Sequence, residues 1–96
     1  MYRVVFIGKI KNLSSEYEKY NDELYASAKE REGFIDVKTD VMEGIEVTIS
    51  EWKTKHDVMS WAMDPLHMEA KKRVTEWYEW YKSYHCLLYT SDAADE

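Results

Sequence analysis

The segment Tyr2-Arg3-Val4-Val5-Phe6-Ile7-Gly8-Lys9-Ile10 reads as a β-strand, rich in β-branched and aromatic residues. Tyr2, Val4, Phe6 and Ile10 fall on one face, and Val5 and Ile7 on the other. A strand that is apolar on both sides is normally buried on both sides. The chain has only 96 residues with which to do this. That length makes one domain and hides roughly 60 to 65% of the unfolded surface. It rules out a two-domain enzyme, a TIM barrel, a Rossmann unit with a partner domain, and a solenoid. The expectation is a homo-oligomer, in which a second copy hides apolar area that one chain cannot.

The pattern after this strand alternates between periods. Asn12 to Ser15 make a turn, with Ser14 or Ser15 as helix N-cap and Glu18 as its capping-box partner. A helix follows to about Arg31, and its stripe of Tyr17, Tyr20, Leu24 and Ala28 keeps the 3-to-4 spacing of one buried face. Glu32-Gly33 ends it, since glycine is favoured just past a helix C-terminus. Phe34 to Met42 is a second strand, with Ile35, Val37, Thr39 and Val41 pointing one way. Glu43-Gly44 forms a tight hairpin turn. In the third strand, Ile45 to Trp52, Ile45, Val47 and Ile49 alternate with Glu46, Thr48 and Ser50. One face of this hairpin should meet a core and the other something more polar.

Lys53 to Met63 is a short helix, broken at Asp64-Pro65. Asp64 can cap the next helix with Pro65 at its first position. The spacing predicts that this helix runs from Leu66 to about Lys82. On it, Leu66, Ala70, Trp77, Trp80, Tyr81 and Tyr84 share one broad face, edged by His67, Val74 and Tyr78. A fourth strand is expected near Ser83 to Tyr89. The fold class is therefore α+β, a ferredoxin-like β-α-β-β-α-α-β sandwich. The ending from Leu87 to Glu96 has none of the preceding pattern and resembles a translated sequencing-adaptor read-through. The domain is thus assigned to 1–86, with 87–96 a tail expected to be non-native and Cys86 at the junction. Without Asp92, Asp95 and Glu96 the net charge goes from −6 to −3, with the same sign.

Composition narrows the function. At 45% hydrophobic and 33% charged, the chain is globular rather than disordered. Thirteen basic against 19 acidic residues argue against a nucleic-acid or anionic-membrane surface. No run approaches the roughly 20 apolar residues of a membrane helix, and Met1 to Ile7 is too short for a secretory signal. A single cysteine, Cys86, forms no internal disulfide, so a cytoplasmic location is expected. The aromatic share, 15% with 4 Trp and 8 Tyr, suits interfaces and ligand pockets. There is no HxxxH or CxxC pair for a metal and no glycine-rich phosphate loop.

The ordered set Ile49-Ser50-Glu51-Trp52, Trp61, Pro65, His67, Ala70 and Trp77-Tyr78 resembles the antibiotic biosynthesis monooxygenase domain of the dimeric α/β-barrel superfamily. Glu32-Gly33-Phe34-Ile35 is similar to that family's Pro-Gly-Phe step, with Glu in place of Pro. The likeness spans residues 2 to about 85. It implies a homodimer whose two sheets pack face to face into a barrel, with a pocket between each sheet and its helices. Some members oxidise polycyclic aromatic compounds with oxygen and neither metal nor flavin, and others degrade haem. The haem branch places an Asn on the first strand and a His about ten residues after the helix Trp. Here those positions hold Phe6-Ile7-Gly8 and the neighbourhood of Lys71, so no haem and no other cofactor is expected.

Four residues carry the candidate site. His67 is the catalytic candidate, because an imidazole exchanges protons near neutral pH. Its alternative is a half-buried histidine bonded to backbone or to Glu51. Trp52 and Trp61 would line a flat aromatic pocket, or serve only as core. Tyr78 would offer its phenolic hydrogen to a substrate oxygen, or pack with its hydroxyl in water, and the same choice applies to Tyr81. Arg73 is expected to stack on Trp77. Two functions follow: a cofactor-independent monooxygenase for an aromatic or phenolic small molecule, or a non-catalytic dimeric module that binds one.

Overall fold

The computed structural model describes residues 1–12 and 14–87. Four strands, β1 (Tyr2–Ile10), β2 (Phe34–Met42), β3 (Ile45–Trp52) and β4 (Tyr78–Leu87), form one antiparallel sheet in the order β2-β3-β1-β4. The helices are α1 (Ser15–Glu30), α2 (Lys55–Ala62), α3 (Pro65–Lys72) and α4 (Val74–Trp77). This is the ferredoxin-like α+β arrangement expected from the sequence, with β1 and β3 central.

Local chemistry fixes most boundaries. The Ser14 hydroxyl accepts from the Tyr17 amide at 3.3 Å, and the Asp64 carboxylate accepts from the Leu66 amide at 2.9 Å with Pro65 opening α3. Thr54 caps α2 through the Asp57 amide. Glu43 and Gly44 both have positive φ, 52° and 80°, the condition for a tight two-residue hairpin turn. Gly33 has φ 84°, and a Cβ there would lie 2.0 Å from the Asp57 carboxylate. Both the conformation and the space therefore require glycine.

The long helix expected to reach Lys82 is corrected. It stops at Lys72, resumes for one turn as α4, and gives way to β4 at Tyr78, well before the expected strand start at Ser83. Trp80, Tyr81 and Tyr84 are therefore strand residues and share no helix face with Leu66 and Ala70. The run pairs along almost the whole of β1, from Tyr2 opposite Leu87 to Ile10 opposite Tyr78. That pairing, together with the strand preference of Tyr and Trp, outweighs the helical spacing. Leu87, assigned from sequence to the tail, is the last described residue of β4, and 88–96 lie outside the described residues.

All helices cover one face of the sheet. Tyr2, Val4, Phe6 and Ile10 of β1 face them, as expected, and feed two adjoining clusters. One gathers Tyr2, Ala28, Val58 and the fully buried Trp52; the other gathers Ala70, Trp77 and Tyr78. On the opposite face, Val5 and Ile7 lie beside Val47 and Ile49. Among the described residues nothing packs over them. A broad trough of about 1040 Å³ runs across this face, lined in part by Ile45, Val47, Ile49 and Met42.

Candidate functional site

The site is built between the sheet and α3. Asp64 caps α3, and an ion pair with Arg31 at the end of α1 (2.5 Å) holds that cap in place. Two residues into the helix, His67 turns inward against Trp61 of α2, with ring centroids 4.2 Å apart. Trp61 leans on Trp52 at 5.4 Å, and Trp52 meets Phe34 edge-on at 5.4 Å. Three of the four sequence candidates thus form one row of rings. Trp52 Nε1, Trp61 Nε1 and His67 Nδ1 are buried along it, with no hydrogen-bond partner among the described residues. Buried polar atoms are rarely left unpaired, which sets these three neighbours apart from the rest of the core.

Burial and then the Lys71 charge push the His67 imidazole down from 6.5 to about 4, while the Trp61 backbone carbonyl and Asp64 pull weakly the other way. His67 is therefore neutral at physiological pH. The ring lies beside the Trp61 backbone, and its Nδ1 has no hydrogen-bond partner among the described residues. Glu51, the alternative partner considered from sequence, points from the opposite face of the sheet and binds Arg3 at 3.0 and 2.7 Å.

His67 and Tyr78 meet across a cleft of about 140 Å³, whose other walls include Phe6, Leu24, Val74 and Trp77. Tyr78 is the first residue of β4, and its ring rests edge-on against Phe6 at 5.2 Å. Gly8 makes room for it, because a Cβ there would stand 2.8 Å from the Tyr78 ring. The Tyr78 hydroxyl donates toward Glu46 Oε1 (2.9 Å) and Tyr17 (3.0 Å), and Tyr17 donates to the same carboxylate oxygen at 2.6 Å. Burial above all, with the neighbouring carboxylate, raises both phenols well above their ordinary range. Both stay protonated.

Sequence reading missed this cluster. The alternation of β3 puts Glu46 on the polar side of the hairpin, yet it is only 5% exposed. Its second oxygen accepts from Thr48 at 3.1 Å; Thr48 bonds Thr39 at 2.9 Å, and Thr39 bonds Tyr25. The one available signal was Gly8, which sits directly opposite Glu46 in the ladder and marks close approach in a strand interior. Arg73 lies over Trp77 at 5.4 Å, as expected, and also over Tyr20 at 5.5 Å. Its guanidinium binds Glu16 and Glu76, which hold it charged. Tyr81 stacks on Phe6 at 6.2 Å and is partly exposed. Among the described residues no group of His, Cys, Asp and Glu is arranged to hold a metal ion, and no helix is long and apolar enough to cross a membrane.

No known protein family matches the sequence, and no curated protein does. Solved structures match well. A conserved protein from Methanosarcina mazei superposes with a TM-score of 0.77 at 18% identity, over 88% of this chain and 89% of that one. A variant of SnoaB, a cofactor-independent oxygenase from Streptomyces nogalater, gives 0.76 at 11% identity over 91% of each chain. An antibiotic biosynthesis monooxygenase gives 0.75 at 13% identity, over 93% of this chain and 99% of that one. At such identities the likeness is one of fold. The chain has the fold of antibiotic biosynthesis monooxygenase-type proteins, in agreement with the resemblance found in its sequence.

Proposed function

We propose that this chain is a cofactor-independent monooxygenase acting on an aromatic or phenolic small molecule held in the cleft between α3 and the sheet. The observation that carries the reading is His67, a neutral imidazole that lines an aromatic-walled cleft and whose buried Nδ1 has no partner among the described residues. On this reading Trp52 and Trp61 back the imidazole and fix its plane, while Phe6, Leu24 and Trp77 exclude water from a flat ligand. Nδ1 accepts the hydrogen of a substrate hydroxyl and takes the proton as the ring carbon para to it gains carbanion character. Oxygen adds at that carbon as a hydroperoxide. Loss of water leaves a carbonyl, so a CH₂ carbon and O₂ become C=O and H₂O with all electrons supplied by the substrate.

The reading includes a homodimer. The open sheet face carries Val5, Ile7, Val47 and Ile49 with no cover from the described residues, and pairing two such faces would bury them. A cytoplasmic setting suits a chain whose one cysteine, Cys86, is free and exposed.

A second reading, a non-catalytic dimeric module that binds an aromatic ligand, is favoured by two observations. An imidazole titrating at about 4 is a weak base at neutral pH. The cleft, about 140 Å³, also falls below the ~300 Å³ at which drug-sized pockets begin. Oxygen uptake by the purified protein across hydroquinones and anthrones separates the two. Uptake that His67→Ala abolishes supports the oxygenase. Tight binding with no uptake on any compound supports the module, and equal turnover by the variant removes His67 from the chemistry.

A further inference from the structure

We infer that Tyr17, Tyr78 and Glu46 form a second, redox-active site, in which Tyr17 gives one electron to an organic radical while Glu46 takes the proton. The site is a sink for peroxyl- and phenoxyl-type radicals. It stands whether or not the His67 cleft oxidises a substrate.

Three hydroxyls converge on the Glu46 carboxyl group. Tyr17 and Tyr78 donate to Oε1 at 2.6 and 2.9 Å, and Thr48 donates to Oε2 at 3.1 Å. The 2.6 Å bond has the short length of an O–H held by a carboxylate. Among the described residues no cation pairs with this group. The single hydrogen of Tyr78 can also turn to the Tyr17 oxygen, 3.0 Å away. That alternative matters once the Tyr17 hydrogen has moved to Oε1, because the phenoxyl oxygen left behind can only accept. Tyr78 is placed to donate to it.

A line of rings joins the pair to the surface. Tyr17 meets Trp77 edge-on at 5.4 Å, and Trp77 meets the half-buried Tyr20 at 5.6 Å. An electron vacancy passes readily between rings in contact, and the charges along this line give it a direction. The Arg73 guanidinium lies 5.5 and 5.4 Å from the Tyr20 and Trp77 ring centres, and a cation over a ring opposes loss of an electron there. Glu16 and Glu76 grip that guanidinium from exposed positions, where water screens them. Glu46, by contrast, is buried. A vacancy is therefore disfavoured on the outer rings and favoured at Tyr17. Phe6, which meets Tyr78 at 5.2 Å, has no hydroxyl to lose a proton and closes the line.

The step balances on these atoms. The Tyr17 O–H bond breaks, its proton forms an O–H bond at Glu46 Oε1, and its electron leaves through Trp77 and Tyr20 to the radical. A peroxyl radical so reduced takes a proton from water and becomes a hydroperoxide. Ascorbate in solution returns the electron, and Glu46 returns the proton.

Flash oxidation of the intact chain with a ruthenium tris-bipyridine sensitiser and a cobalt amine quencher tests this, read by electron paramagnetic resonance. Exposed tyrosines give radicals that couple and vanish quickly, whereas the native chain should also hold a long-lived phenoxyl signal. Tyr17→Phe should abolish that signal, and Tyr84→Phe, at an exposed position, should leave it unchanged. Glu46→Gln should slow its formation about tenfold, the worth of one hydrogen bond to a charged group. A purely structural role for Glu46 would lower stability but leave the rate per folded molecule unchanged, and would overturn the proposal. Short-lived signals alone in the native chain would overturn it too, as would a long-lived signal that survives Tyr17→Phe. If Glu46→Gln fails to fold, heavy water carries the test on the native chain. A proton that moves with the electron slows formation severalfold there, and an unchanged rate removes Glu46 as its acceptor.

Discussion

Val47 and Thr48 are neighbours in β3 and look into opposite worlds. Thr48 faces the helices, where the strand also places Glu46 and Ser50, both nearly buried, in a layer that would ordinarily be apolar. Val47 faces the other way with Ile45 and Ile49, across a trough that the described helices leave uncovered. The polarity of this central strand is inverted relative to a simple two-layer sandwich. The covered layer is organised around hydrogen bonds, while the apolar requirement is exported to the open side. A lone subunit would be ill suited to water on the side where its sequence is greasiest.

The largest expected effect breaks the open side. Val47→Asp should convert a dimer into monomers, raising the dissociation constant on the order of a thousandfold, because two-fold symmetry places two unpaired carboxylates in one interface. Sedimentation or light scattering at micromolar concentration reads this directly, and a native chain that is a folded monomer there would end the barrel reading. On the covered side, Trp52→Ala empties the most buried side chain and should cost about 3–5 kcal/mol in denaturant melts.

The next effect is a pH dependence. The folded state holds His67 neutral down to about pH 4, whereas the unfolded chain takes up that proton near 6.5. The folded protein therefore binds fewer protons, so the contribution of His67 is complete above about 6.5 and drains away as pH falls toward 4. The loss should be on the order of 2–3 kcal/mol, and His67→Gln should flatten that part of the stability profile. The smallest effect sharpens the contrast with Val47. Thr48→Val keeps the shape but removes two hydrogen bonds of the covered network, and should cost about 1 kcal/mol with no change in oligomeric state.

The sequence made the strand pattern of β1, the hairpin at Glu43-Gly44 and the caps at Ser14 and Asp64 legible, because each rests on chemistry within a few residues. The candidates Trp52, Trp61 and His67 were legible as types and proved to be neighbours. The start of β4 was hidden, since Trp77, Trp80, Tyr81 and Tyr84 fit a helical spacing nearly as well as a strand, and only the long-range ladder with β1 decides. Glu46 was hidden for a related reason. In an alternating strand its polarity looks like solvent exposure, and its burial depends on Tyr17 and Tyr78, 29 and 32 residues away.

One small irregularity governs which aromatics reach the cleft. Opposite the single step from Lys9 to Ile10, β4 takes two residues, from Trp80 to Tyr78, so Glu79 is supernumerary in the ladder. Tyr78 and Trp80 would share a side in an even ribbon; here they part, one turned inward and the other outward. The bulge acts as a parity switch. Restoring an unbroken ladder without shortening the chain would exchange the ring that walls the cleft for a carboxylate, with the amino-acid composition unchanged.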